Sequence, residues 1–129
     1  MKLLLDSHVF LWWLADSPKL SVRHREAIAD KGSPILISAA TIWELALKIS
    51  IGKLRLDGLS AERLDEYIAP CGFAELPVSA AHAAATARLP AHHSDPFDRV
   101  LIAQAQIEGA TLVTVDRTFS RYDVPLIVS

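Results

Sequence analysis

The sequence predicts an α/β fold with a mainly parallel sheet, and three observations carry that expectation. Short apolar runs alternate with longer stretches of helical character along the chain. The runs Leu3-Leu4-Leu5, Pro34-Ile35-Leu36-Ile37 and Thr111-Leu112-Val113-Thr114-Val115 are nearly continuous in apolar residues, as in strands covered on both faces. Each is followed by a residue that favours a helix start: Asp6, Ser38 and Asp116.

Taken in order, Leu3 to Leu5 is the first strand. A helix follows from about Ser7 to Ala15 and is broken by Asp16-Ser17-Pro18. A second helix runs from Val22 to Asp30 and is closed by Gly32. Pro34 to Ile37 is the second strand. Ser38 caps a helix that passes through Glu44 and Lys48 to about Gly52. Ala61 to Ile68 is expected to be helical, Phe73 to Leu76 a third strand, and the Ala-rich stretch from Ser79 to Arg88 a helix. Asp95-Pro96 opens a helix that stops at Gly109. Thr111 to Val115 is a strand, and Leu126 to Val128 is an edge strand.

The chain has 129 residues, 51% of them apolar, which suits one domain over residues 1–129 with a sizeable core. A net charge of −2 argues against a basic protein that coats nucleic acid, although a carboxylate-lined nuclease site remains compatible with it. The lone cysteine, Cys71, excludes an intrachain disulfide and a cysteine zinc cage, and fits a reducing cytoplasm. The apolar run at the N-terminus is too short for a signal peptide or a membrane span, so a cytoplasmic location away from membranes is expected.

Three aspartates occupy related places. Asp6 and Asp116 each follow a strand and precede a helix, and Asp98 lies in a helix's first turn. In an open parallel sheet these places lie along one edge, where ligand crevices form. Each aspartate taken alone also suits a helix cap. Asp98 resists that account, because it shares a helical face with Leu101, Ile102 and Ala105 and would be costly there without a partner or a metal. Glu44 lies opposite the stripe of Ile42, Leu45, Ala46 and Ile49. With Lys48 four residues on, it reads as an exposed ion pair.

Several short motifs then accumulate: Leu3-Leu4-Leu5-Asp6-Ser7-His8, Ser38 to Lys48, Gly52-Lys53-Leu54, His92 to Arg99, Leu101 to Ala105 and Gly109 to Asp116. In this order, and spanning nearly the whole chain, they resemble the PIN-domain family, and within it the VapC-type toxins of bacterial toxin–antitoxin pairs. The resemblance implies a three-layer α/β/α sandwich with a mainly parallel central sheet. It implies an endoribonuclease that hydrolyses RNA phosphodiester bonds at a four-carboxylate site holding Mg²⁺ or Mn²⁺. By motif match the four acids are Asp6, Glu44, Asp98 and Asp116. Asp95 is a rival for the third place, and Asp116 occupies the family's most variable position. Asp6 and Asp98 would be the main metal ligands, with Glu44 and Asp116 acting through water or a second ion. The resemblance also implies a small antitoxin partner and a homodimer.

A basic rim must guide phosphates past an acidic centre. Lys48, Arg99 and Arg117 are the leading candidates, with Lys53, Arg55 and Arg121 behind them. His92 and His93 read as ordinary loop residues. Trp12, Trp13 and Trp43 read as core or interface residues. Two other function classes compete. A phosphoaspartate phosphatase would want an aspartate where His8 stands, and a receiver-like domain would want a lysine where Arg117 follows Asp116. A non-catalytic interaction module could keep the fold without the chemistry.

Overall fold

The computed structural model describes residues 1–55 and 58–128. Strands β1 (Leu3–Leu5), β2 (Ile35–Ser38), β3 (Ala74–Leu76), β4 (Thr111–Val113) and β5 (Leu126–Ile127) form one parallel sheet. Their order is β3-β2-β1-β4-β5. Leu3 pairs with Ile35 on one side and Thr111 on the other, so β1 is central. The chain builds outward from β1 in one direction and later in the other. That reversal opens a crevice beyond the carboxyl ends of β1 and β4.

Helices α1 (Ser7–Leu14), α2 (Val22–Ala29), α3 (Ala39–Ser50), α4 (Ala80–Ala85) and α5 (Pro96–Glu108) connect the strands. Alternate side chains of a strand point to opposite faces, and the two cores follow this rule. Leu3, Leu5, Ile35, Ile37 and Val113 pack with Val9, Phe10, Ile28 and Leu45 of α1, α2 and α3. Leu4 and Leu112 point the other way and pack with Leu101, Ile102 and Ala105 of α5. The molecule is therefore a three-layer α/β/α sandwich. Cutting Leu101, which is fully buried, to alanine would cost about 2–5 kcal/mol.

The local starts and stops have identifiable causes. Asp6, Ser21, Ser38, Ser79 and Asp95 cap the five helices through their side chains. Gly109 ends α5 in the left-handed conformation at φ 66°, which glycine adopts without a Cβ penalty. Helix α2 ends differently from the expectation. Gly32 is not left-handed; instead the Asp30 carboxylate accepts from the Gly32 N–H at 3.0 Å. Ala61–Tyr67 is a kinked 3-10 stretch, broken at Arg63, rather than an α-helix. The Ala-rich helix also ends early and tightens to 3-10 over Thr86–Arg88. There the Arg99 guanidinium takes the carbonyls of Thr86 and Leu89. Strand β4 ends at Val113, and the next residue, Thr114, still donates its N–H to Ile127 while its hydroxyl turns toward Asp6 and receives the Asp116 N–H. Among the described residues, no helix is long and apolar enough to cross a membrane.

Candidate active site

The crevice at the ends of β1 and β4 is lined by Asp6, Glu44, Asp98 and Asp116, together with Ser7, His8, Lys48, Asp95, Val115 and Phe119. Asp6 is placed by the sharp junction between β1 and α1. One carboxylate oxygen accepts from the Val9 N–H at 2.8 Å, and the other accepts from the Thr114 hydroxyl at 2.5 Å. The Thr114 oxygen in turn accepts from the Asp116 N–H at 3.0 Å. This chain ties the ends of β1 and β4 together through polar groups that are themselves buried. Burial pushes the Asp6 pKa above its ordinary value, and these hydrogen bonds oppose the rise. Thr114 was hidden in sequence inside an apparent strand; its only signal was a hydroxyl in an apolar run.

Glu44 is a correction to the exposed ion pair that helical spacing suggested. It is 2% exposed, because α3 is covered by neighbours on more than one side. Its Oε2 accepts from Lys48 Nζ at 2.5 Å. Among the described residues, its Oε1 is buried without a hydrogen-bond partner. Lys48 is only partly buried, and its pKa is raised first by the hydrogen bond to Glu44 and further by the charge on Asp95 and Asp98.

Helix α5 contributes two aspartates with different tasks. Asp95 is the N-cap and accepts from the N–H groups of Phe97 and Asp98 at 2.9 and 3.4 Å. Asp98, three residues on, extends into the crevice. Burial pushes its pKa up to about 7, with repulsion from Asp95, Glu44 and Asp6 adding to the effect and His93 opposing it. Asp116 caps the 3-10 turn Arg117–Arg121 and accepts from the Thr118 N–H at 2.9 Å. Burial works against its ionisation, but the bonds from Thr118 and His93 prevail and hold its pKa below the usual carboxylate value.

His93 does not fit the ordinary loop role. Its Nε2 lies 3.1 Å from Asp98 Oδ2 and 3.1 Å from Asp116 Oδ2. The folded loop supplies the orienting carboxylates that sequence proximity could not reveal. His92, by contrast, stacks edge-on against Tyr122 outside the crevice.

The basic candidates divide. Lys48 lines the crevice, and Arg117 is exposed beside Asp116. Arg99 is a correction. Its guanidinium donates to the carbonyls of Thr86, Leu89, Pro90 and His93, so its donors anchor the loop that carries His93. Lys53 lines an adjoining groove with Leu11, Leu45 and Leu54, while Arg55 and Arg121 are exposed. Trp12 and Trp13 pack against the core under α1. Trp43 is 65% exposed and meets Phe97 edge-on at 5.0 Å between ring centroids.

The PIN domain model matches residues 3–125. The chain belongs to the PIN domain family. It is 32% identical over 126 residues to ribonuclease VapC22 of Mycobacterium tuberculosis, covering 95% of this chain and 92% of that protein. That similarity places it with the VapC-type members. The fold is similar to a chain in the crystal structure of VapBC2 from Rickettsia felis bound to a fragment of promoter DNA. That match has a TM-score of 0.72 at 20% identity and covers 98% of each chain. It is also similar to a chain of FitAcB from Neisseria gonorrhoeae, with a TM-score of 0.66 at 26% identity, covering 97% of this chain and 96% of the other.

The donor set of this PIN domain suits a hard divalent cation, which takes oxygen ligands and leaves several positions to water. Asp6 and Glu44 are buried, Asp98 is partly buried and all three line one crevice, where among the described residues the Glu44 Oε1 has no donor to satisfy it. Such an oxygen is costly unless something outside the chain pairs with it.

Proposed function

We propose that the chain is a Mg²⁺- or Mn²⁺-dependent endoribonuclease and the toxin of a toxin–antitoxin pair. Asp6, Glu44, Asp98 and Asp116 would be its catalytic acids. The observation that supports this reading best is the gathering of these four acids, distant in sequence, at the topological switch point, with one buried carboxylate oxygen left unpaired. Asp6 and Asp98 would hold the ion, and Glu44 and Asp116 would complete the site directly or through water. A bound divalent cation supplies Lewis acidity for attack of water on a phosphodiester.

The chain's own residues prepare that site. Thr114 and the Val9 N–H fix the rotamer of Asp6. Lys48 orients Glu44 and offsets charge at the rim, where it can also meet an incoming phosphate. Exposed Arg117 follows Asp116 in the chain and is the second candidate for backbone contact.

The partners proposed are RNA, a small antitoxin and a second copy of the chain. The crevice continues past Ser7, His8 and Lys48 into the groove lined by Leu11, Leu45 and Leu54. An antitoxin segment with apolar residues and a terminal Arg or Lys fits that sequence of surfaces, since its cation would pair with the carboxylates. Trp43 and Leu47 of α3, with Ile51 just past its end, recur every four residues and leave large apolar groups exposed. An apolar hollow between Trp43, Val78, Phe97 and Val100 extends this surface, which suits an isologous dimer. Growth arrest on induced expression, relieved by co-expressing the neighbouring small open reading frame, tests the pairing. Growth arrest that no neighbour relieves would favour a solitary nuclease.

A further inference from the structure

His93 is held in place by three independent contacts. Its carbonyl accepts from Arg99 Nη1 at 3.2 Å. Its ring lies against Phe119, with 5.5 Å between centroids. Its Nε2 is 3.1 Å from one oxygen of Asp98 and 3.1 Å from one oxygen of Asp116. A single ring N–H can point well at only one of two carboxylates, so hydrogen bonding alone accounts poorly for two equal approaches.

Coordination accounts for both. Ligands about 2.1 Å from an octahedral ion sit roughly 3.0 Å from their neighbours in the shell. The two 3.1 Å separations match such edges, and all three donor atoms lie within 4.8 Å of one another. A second observation lies in the same crevice: although Lys48 pairs with Oε2 of Glu44, the buried Glu44 Oε1 has no hydrogen-bond partner among the described residues. We propose that His93 is a nitrogen ligand of the metal site, acting through Nε2 beside Asp98 and Asp116. This rests on the metal-dependent reading above and adds a selectivity to it. An imidazole among carboxylates favours Mn²⁺ and later transition ions over Mg²⁺, which prefers oxygen alone. Arg99 becomes a positioning residue for that ligand, because it fixes the loop on which His93 rides.

The test uses the whole chain without RNA. Mn²⁺ is titrated by calorimetry, and the bound ion is probed by pulsed EPR for coupling to nitrogen. The proposal expects one imidazole coupling in the parent and in His8→Ala and His92→Ala, and its loss in His93→Ala. His93→Ala should weaken Mn²⁺ binding at least about tenfold, the low end of what losing even an outer partner costs. Mg²⁺ binding should change much less. His93→Gln gives a second variant that keeps the volume of the side chain and should also lose the coupling. Stoichiometric Mn²⁺ binding with no nitrogen coupling, or with coupling that survives in both His93 variants, would overturn the ligand assignment while leaving the carboxylate site standing. Absence of Mn²⁺ and Mg²⁺ binding would overturn both.

Discussion

Asp98→Asn separates a metal-site carboxylate from a helix-terminal charge, because the two accounts give opposite signs in metal-free protein. The Asp98 side chain is 17% exposed and faces three other acids. Raising its pKa from 3.8 to about 7 corresponds to an upper bound of roughly 4 kcal/mol against the ionised folded form. Between those pH values the unfolded chain has released the proton and the folded chain retains it. Stability of the parent therefore falls as pH rises from about 4 to about 7 and levels off above. Asparagine removes the Asp98 share of that slope. It also forfeits the pairing with His93 and a helix-terminal charge worth about 0.3–1 kcal/mol. The net expectation at pH 8 in chelator is a variant as stable as the parent or up to a few kcal/mol more stable, with the gap closing toward pH 4. Urea melts across that range measure it directly. A variant less stable at pH 8 by a fraction of a kcal/mol, with the same pH dependence as the parent, would refute the reasoning and return Asp98 to a dipole role.

Other substitutions test the supporting parts. Thr114→Val removes the buried donor to Asp6 and the acceptor for the part-buried Asp116 N–H, and should cost about 1–3 kcal/mol in urea melts as well as weaken metal binding. Arg99→Gln should speed amide hydrogen exchange over residues 86–93 while leaving exchange in β1 and β4 unchanged, since its donors hold only that loop. Trp43→Glu places a charge on the exposed apolar stripe of α3 and should convert the proposed dimer to a monomer by light scattering, with little loss of monomer stability.

Much of the fold was legible because the strands write themselves plainly. Leu3-Leu4-Leu5 fills both cores at once, as a strand covered on both faces does, and Ser38 and Asp95 announce their helices as caps. Asp6 and Asp116 could be placed at one edge from the strand-to-helix order alone. Glu44 could not, since helical spacing ranks the faces of α3 without saying which neighbours cover them. Its pairing with Lys48 is real but is buried on the glutamate side. His93 and Arg99 were misread for a related reason. Each acts through a loop whose return path to Asp116 or to the carbonyls of residues 86–93 depends on tertiary packing. The 3-10 turns at Ala61–Tyr67 and Thr86–Arg88 likewise reflect contacts across the fold rather than helix propensity.

The most direct measurement of the central claim is cleavage of RNA by the purified chain, with and without Mn²⁺ or Mg²⁺, alongside Asp6→Asn, Glu44→Gln and Asp98→Asn. The account predicts cleavage only with added metal. It predicts loss in the Asp6 and Asp98 variants of at least about a hundredfold, the scale of a lost charge-stabilising group, with all three proteins still folded. Cleavage that persists in chelator, or that survives in folded Asp6→Asn and Asp98→Asn, would contradict it.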